Sequence, residues 1–336
     1  MSSRSSRCVL ALVIALLSLG LSTPALAQEG GGTLNSDLIG GALLIFRTPE
    51  NPPVGGGRLQ GHRITPKVAK EQNRIIARAN AARSAPTPRY AEAEEQYRQA
   101  AKLDPTDARS YAGLGNVYLD QKRYNDAVAQ YQHAIKLKPD YSEALMPLGY
   151  ALVGLNRFPE AIDDYKVALK VDPGNPEIHN NLGYLYNHSG RYDEAVAACL
   201  EAIRLLGETG ESYKQGYQTR QEVLAHAYKN LGNSYTGLKN FEAAAKALRQ
   251  ATVIEPKNAA AFFNLGVTLY SGRRYSEAIE AYKEVIKLRP SLVAARFNLG
   301  LTYLAINDKK AAMAEYDALK PLDSNAAEQL RQMIRQ

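Results

Sequence analysis

Cysteine and long apolar runs are scarce in this sequence. The 336 residues contain two cysteines, Cys8 and Cys199, and one long apolar run, residues 9–21, which Ser18 and Gly20 interrupt. The run is too short for a comfortable transmembrane helix, and no other long apolar run follows it. If the first residues are removed, Cys199 remains alone, so no internal disulfide is possible and stability must come from packing.

Motifs of common enzyme and metal sites are also missing. The sequence has no GxxxxGK[ST] phosphate loop, no HExxH zinc motif and no CxxC pair. Its five histidines have no carboxylate or cysteine partner at metal-ligand spacing. The formal net charge of +7 is modest, and we expect Lys and Arg to gather on no single face, unlike those of a nucleic-acid-binding protein. The sequence therefore predicts no catalytic activity, no cofactor, no metal and no nucleic-acid partner.

Residues 1–27 have the pattern of a secretory signal peptide. Arg4 and Arg7 precede the apolar run, and Ala25-Leu26-Ala27 forms a small-x-small cleavage site. We expect cleavage before Gln28 and export of the mature chain to the periplasm or the cell exterior, with no membrane span left. An uncleaved membrane anchor is the alternative interpretation.

A 34-residue spacing accounts for most of the remaining chain. Six glycines recur in two runs of three, each is followed twelve residues later by an alanine, and a proline closes four of the copies. Apolar residues at three- and four-residue spacing predict two amphipathic helices per copy. Such a pair leaves one apolar face uncovered, so each copy needs a neighbour. The recurring residues are Gly115, Gly149, Gly183, Gly232, Gly266 and Gly300; Ala127, Ala161, Ala195, Ala244, Ala278 and Ala312; and Pro139, Pro173, Pro256 and Pro290.

The recurring residues resemble the consensus of the tetratricopeptide-repeat family over residues 108–324. The matched strings include Leu114-Gly115 with Tyr118, Arg123-Tyr124-Asn125-Asp126-Ala127 and Leu137-Lys138-Pro139. The resemblance implies an all-α fold, a right-handed superhelical solenoid of antiparallel helix pairs. The expected parts are a degenerate N-terminal repeat at 65–107, repeats 1–3 at 108–206, repeats 4–6 at 225–324 and a C-terminal capping helix at 325–336.

The small and cyclic residues of the pattern have physical roles. Gly266 and Ala278 lack bulk, so the two helices of their copy can approach closely where they cross. Pro290 ends the second helix because it has no N–H to donate and disfavours helix in the residue before it. In the degenerate repeat, Thr65 followed by Pro66 predicts a capped helix start.

An insertion interrupts the repeats at residues 207–224. The distance from Gly183 to Gly232 is 49 residues, which is 15 more than the repeat. Aromatic and apolar residues near a 3.6-residue period predict that the first helix of repeat 4 starts near Glu211 and projects beyond its neighbours. This projecting stripe is either a second docking surface or is covered by a lengthened preceding helix. Its residues are Tyr213, Tyr217, Leu224, Tyr228, Leu231 and Tyr235.

Residues 28–64 are rich in glycine and proline, which predicts a flexible linker. The linker contains a short apolar segment, residues 38–46, that is unusual for a free linker. We hypothesise that this segment docks on the repeats or on a partner.

Members of the resembled family bind extended peptides or helices on the concave face formed by the first helix of each pair. The resemblance places Asn180, Tyr184, Asn187, Lys229, Asn233, Phe263, Asn264, Val267, Tyr270, Phe297, Leu301 and Leu304 in this groove. The groove is expected to be polar in its centre and apolar towards its C-terminal end. Lys229, Asn233 and Asn264 also match three of the five positions of the family's carboxylate clamp. Ala294 and Asn298 fill the other two in place of basic residues, so the charge-assisted contacts are missing.

Two functions are compatible with these patterns. The leading one is a non-catalytic scaffold that binds a peptide or helix of partner proteins in the cell envelope or outside the cell. The alternative is a glycan-binding or enzyme-sequestering accessory subunit of an export or envelope-assembly machine. Basic groove residues with interleaved aromatics would favour a glycan, whereas a polar centre with an apolar end favours a peptide.

Overall fold

A computed structural model describes residues 64–209 and 219–336 as fifteen α-helices without a β-strand. Helices that follow one another pack together within two compact units, and the all-α repeat fold is confirmed. The predicted signal peptide, residues 28–63 of the predicted linker and the apolar segment at 38–46 lie outside the described residues.

The N-terminal unit comprises residues 64–185 of the described chain. Its complete helices are α1 Pro66–Arg83, α2 Tyr90–Leu103, α3 Ala108–Asp120, α4 Tyr124–Leu137, α5 Ser142–Gly154 and α6 Phe158–Val171. Helix α7, Pro176–His188, crosses the boundary of the two units.

The C-terminal unit comprises residues 186–209 and 219–336. Its helices are α8 Tyr192–Thr209, α9 Arg220–Gly237, α10 Phe241–Ile254, α11 Ala259–Ser271, α12 Tyr275–Leu288, α13 Val293–Ala305, α14 Lys309–Leu319 and α15 Ser324–Arg335.

The turn between the two helices of a repeat has the same geometry in both units. In each of the six full repeats, one residue of this turn enters the left-handed region, with φ between 58° and 70°. The following N–H then closes the turn, as where Arg123 donates to the carbonyl of Tyr118 at 2.8 Å. Only one of these residues is glycine, so the turn costs backbone strain in most repeats. The six residues are Lys122, Asn156, Gly190, Lys239, Arg273 and Asn307.

Close approach of helices explains the recurring glycines. A Cβ atom on Gly266 of α11 would lie 2.6 Å from the ring of Tyr282 on α12. No real contact is that short, so this crossing requires glycine. At Gly300 the corresponding neighbour is Leu330 of α15, again at 2.6 Å. Helix α15 also buries Ile334, and the predicted C-terminal capping helix is confirmed.

The start of the degenerate repeat is also confirmed. Pro66 occupies the first turn of α1, and the side chain of Thr65 accepts a hydrogen bond from the backbone of Val68 at 3.3 Å. The side chains of Ile75 and Ile76 are buried and hold α1 against the rest of its unit.

The prediction that the helix of repeat 4 starts near Glu211 is wrong. Helix α9 starts at Arg220, because Thr219 and Glu222 form a capping box that satisfies the free N–H groups of a helix start. Arg220 Nε also donates to the carbonyl of Leu206 at 3.0 Å, which ties this start to the end of α8.

Helix α8 is lengthened and packs with three residues of the aromatic stripe, Tyr228, Leu231 and Tyr235. Helix α8 has 18 residues, four more than α10. Tyr228 and Tyr235 of α9 pack on a cluster that contains Cys199 of α8. The alternative in which the preceding helix covers the stripe therefore holds for Tyr228 and Tyr235. Tyr213 and Tyr217 lie outside the described residues.

Candidate peptide-binding surface

The first helices α9, α11 and α13 of the C-terminal unit carry most of the predicted groove residues. Asn233, Asn264, Tyr270 and Leu304 are half-buried there, and Asn187 at the end of α7 is half-buried in the same unit. These five residues are called the first-helix surface below.

Hydrogen bonds between side chains connect successive first helices. Asn264 Nδ2 of α11 donates to Asn233 Oδ1 of α9 at 2.9 Å. The hydroxyl groups of Thr236 and Thr268 lie 2.8 Å apart on the same two helices. Because both pairs join neighbouring repeats, the amides of Asn233 and Asn264 are held in fixed orientations.

Asn187 extends this polar contact towards α7. Its Nδ2 donates to the backbone carbonyl of Asn230 on α9 at 2.9 Å. The prediction of a polar centre is thus matched by a chain of amide and hydroxyl groups across α7, α9 and α11.

The expectation of an open apolar end is wrong for four residues. Phe263, Val267, Phe297 and Leu301 are between 1% and 5% exposed. They belong to one hydrophobic cluster with residues of α10 to α15, so they fill the space between helices and present no free surface. Tyr270 and Leu304 are packed at the edge of this cluster and keep part of their surface exposed.

Lys229 lies in the interior and not on an open groove. Its side chain is 4% exposed, and burial lowers the pKa of its ammonium group to about 8, although the carboxylate of Glu255 opposes this shift. Burial also raises the pKa of Glu255, which accepts a hydrogen bond from Asn258 Nδ2 at 2.7 Å. Sequence reasoning missed Glu255, because the residue before Pro256 was considered only as a helix end.

A cavity of about 560 Å³ lies beside Glu255. It is lined by residues 255–260 and Arg289 and so carries charges of both signs. The start of α11, capped by Asn258, forms one wall. No feature of the repeat pattern predicts this cavity, because it depends on how two helix ends approach each other.

The N-terminal unit contains the other two predicted groove residues, both on α7. Asn180 is 3% exposed, and Tyr184 is half-buried, which raises the pKa of its hydroxyl group.

The carboxylate clamp is incomplete in the structure as well, since Ala294 carries no charge and Asn298 is 1% exposed.

Within residues 64–209 and 219–336, no group of three or more His, Cys, Asp or Glu side chains is placed to hold a metal ion. Cys199 is fully buried, and burial raises the pKa of its thiol to about 12. In the same part of the chain, no helix has the length and apolar character needed to cross a bilayer.

The expectation that Lys and Arg gather on no face is wrong for α1. Lys67, Lys70, Arg74 and Arg78 are all exposed on one side of this helix. Their spacing of three or four residues places them on one face of the helix. This positively charged face was not predicted from the sequence.

Comparison with known proteins identifies the repeat. A family model described as "TPR repeat" matches residues 89–122 and 115–156. A second, described as "Tetratricopeptide repeat", matches residues 146–208, 229–293 and 269–327. The comparison with curated proteins gives no match.

Solved structures show the same fold at low sequence identity. PilF of Pseudomonas aeruginosa is 19% identical with a TM-score of 0.54, and the match covers 68% of this chain and 98% of PilF. PilW, a type IV pilus biogenesis factor, is 20% identical with a TM-score of 0.57 and the same two coverages. A tetratricopeptide repeat protein from Parabacteroides merdae is 14% identical with a TM-score of 0.56, covering 80% of this chain and all of that one. With more than half of its residues matched by the family models, the chain belongs to the tetratricopeptide-repeat family.

Proposed function

We propose that the protein is a non-catalytic scaffold that binds a peptide or helix of a partner protein on the first-helix surface. Tetratricopeptide-repeat proteins bind other proteins, so a scaffold role follows from the family. The bond between Asn264 and Asn233 carries the finer proposal. It uses one donor and one acceptor and leaves Asn264 Oδ1 and Asn233 Nδ2 without a further partner among the described residues.

This arrangement fits an extended peptide. A peptide backbone presents alternating N–H and C=O groups, which the free oxygen of Asn264 and the free N–H of Asn233 complement. Tyr270 and Leu304 would supply apolar contact beside these amides, since each keeps part of its surface exposed. The described part of the chain offers no comparable constellation for catalysis, which is why we propose binding alone.

The first test is capture of a partner by the mature chain, residues 28–336. The Asn264→Leu variant keeps the volume of the side chain and removes both hydrogen-bonding groups. The matched control is Asn181→Leu, because Asn181 has the same repeat position in the N-terminal unit and donates to the hydroxyl of Tyr165 at 3.4 Å. A captured polypeptide is identified by mass spectrometry and rebound as a synthetic peptide.

We expect Asn264→Leu to weaken binding of that peptide by about tenfold, since a lost hydrogen bond at a desolvated contact costs about 1.4 kcal/mol or more. The control should bind like the unmodified chain. Equal weakening in both variants, or none in Asn264→Leu, would place the site elsewhere.

We also propose that the protein acts in the cell envelope or outside the cell. The support is the charged start, apolar run and cleavage pattern of residues 1–27. N-terminal sequencing of protein from an envelope fraction should begin at Gln28. A chain that begins at Met1 in that fraction would show an uncleaved anchor, and recovery from the cytoplasm alone would overturn the proposed location.

A further inference from the structure

Helix α1 presents a line of positive charge on its exposed face. Lys67, Lys70, Arg74 and Arg78 follow one another at spacings of three, four and four residues, and all four are exposed. At 1.5 Å per residue they extend over roughly 16 Å of the helix. They are called the cationic stripe below.

The packing of α1 determines the side towards which the cationic stripe faces. Ile75, Ile76 and Ala79 on the opposite face are at most 5% exposed, and α1 packs against α2. The apolar face of α1 is therefore occupied, and the helix can offer a partner only its polar face.

The stripe differs from the charged face of α12 because three of its four cations have no counter-charge among the described residues. Arg74 faces Glu71 at 3.6 Å, and both side chains are largely exposed. Lys67, Lys70 and Arg78 have no ion pair with any residue in the described ranges. The first turn of α1 also contains no acidic residue to offset the positive end of the helix dipole.

Helix α12 shows the usual arrangement. Lys283 pairs with Glu280 at 2.9 Å, and Lys287 pairs with Glu284 at 3.3 Å. The four side chains neutralise one another along the exposed face. The composition of α1, by contrast, leaves a net positive face of about three charges.

We propose that the cationic stripe binds the anionic headgroups of a lipid bilayer. The stripe is straight and borders a surface recess of about 620 Å³ lined by Lys67, Lys70, Glu71 and Arg74. The described residues that line the recess all belong to this one helix, and three of the four are cations on the same face of it. A planar phosphate surface satisfies this geometry, because each flexible side chain reaches its own headgroup.

The inference rests on the proposed envelope location, which brings a bilayer within reach of α1. Each Lys or Arg near an anionic bilayer strengthens binding by about fivefold. The stripe alone gives reversible attachment, which would hold the first repeat at the membrane.

The test is sedimentation of the mature chain with vesicles. One set contains equal parts of phosphatidylglycerol and phosphatidylcholine, and the other contains phosphatidylcholine alone. The stripe variant is Lys67→Glu/Lys70→Glu. The control variant is Lys283→Glu/Lys287→Glu, which makes the same change in net charge at exposed positions of α12.

We expect binding to the anionic vesicles only, and a loss of about 25-fold or more in the stripe variant, since two favourable charges become unfavourable. The control should change affinity by less than threefold. Raising the salt from about 0.1 M to 1 M should abolish binding, because the screening length falls from about 10 Å to 3 Å.

Three results would overturn the inference: an equal loss in the control variant, equal binding to neutral vesicles, or tighter binding to duplex nucleic acid at the same phosphate concentration. Failure of the proposed peptide binding is distinguishable, because Asn264→Leu should leave vesicle binding unchanged. Failure of the proposed location is also distinguishable, because the vesicle assay measures the stripe in isolation from export.

Discussion

The contacts between neighbouring first helices differ in chemistry between the two units. In the N-terminal unit, Arg109 of α3 forms an ion pair with Asp107 at 2.6 Å, with both side chains almost fully buried. Arg109 also donates to Asn73 of α1 at 2.8 Å, so the pair joins two first helices. In the C-terminal unit, Phe263 and Phe297 take part in an apolar cluster.

This difference shows that one repeat framework accepts two kinds of contact between first helices. Burying an ion pair costs the hydration of both ions, so it adds little net stability but makes each partner depend on the other. Burying apolar area stabilises directly and tolerates no charge. The two units should therefore respond differently to substitution and to pH.

The largest effect is expected from a charge placed in the apolar cluster. Phe297→Asp removes a buried ring and leaves a carboxylate without a partner, which should destabilise the C-terminal unit by about 4 kcal/mol or more. Urea unfolding followed by circular dichroism measures this. Met313→Asp is the control, because Met313 is 38% exposed on α14. If both variants changed the free energy of unfolding by the same small amount, the Phe297 side chain would be exposed in the groove, as the sequence predicted.

A somewhat smaller effect is expected from breaking the buried ion pair. Arg109→Met keeps much of the side-chain volume and leaves Asp107 buried without its cation, at a cost of about 3 kcal/mol in the N-terminal unit. Arg89→Met is the control, because Arg89 and Glu92 form an exposed pair at 2.8 Å whose loss should cost less than about 1 kcal/mol. Equal unfolding midpoints for the two variants would contradict the distinction between the units.

Asp164 of α6 should make the N-terminal unit sensitive to pH. Burial raises the pKa of this carboxyl from 3.8 to about 7. The folded state therefore holds the proton over a range in which the unfolded chain releases it, and stability should fall as pH rises from about 4 to about 7. The equivalent carboxylate of the C-terminal unit, Glu315, has Arg296 at 3.3 Å.

Asp164→Ala should remove this pH dependence and stabilise the protein by about 2 kcal/mol at pH 8, with little change at pH 4. Alanine already occupies the same repeat position at Ala247 and Ala281. Glu315→Ala is the matched substitution, and we expect no gain from it, because it leaves Arg296 without its partner. A parallel loss of stability with pH in the unmodified and Asp164→Ala chains would disprove the role of Asp164.

The smallest effect is expected at the turns, where the two units agree. Lys122→Gly and Arg273→Gly should each stabilise their unit by about 0.5 kcal/mol, because glycine adopts a positive φ without strain and loses part of this gain to its freer unfolded state. Gly190→Ala should destabilise by about 1 kcal/mol. Opposite signs for Lys122 and Arg273, measured by thermal unfolding, would mean that the turns also differ between the units.

Local patterns predicted the helices and their crossings well. Gly266 and Gly300 mark close approaches because a missing side chain is visible in the sequence itself. Thr65 and Pro66 predicted the start of α1, since a cap depends on a few neighbouring residues. The start of α9 was predicted wrongly because the regular spacing of the aromatic residues was given more weight than the capping box that Thr219 forms with Glu222.

The candidate site was predicted less well, because exposure is decided by neighbours that are distant in sequence. Repeat register placed Phe297 and Leu301 on the first helices, which is correct, but register alone does not say how closely successive first helices pack. Lys229 was likewise predicted to line the groove, but its side chain is buried, which lowers the pKa of its ammonium group. The sequence by itself determined the repeat, the helix pairs and their small crossing residues, since these follow from spacing along one chain. Only the tertiary structure decided which first-helix residues stay accessible and which charges lose their water, because solvation depends on everything packed around a side chain. It also decided which cations, such as Lys67 and Lys70 of α1, stay exposed with no ion pair among the described residues.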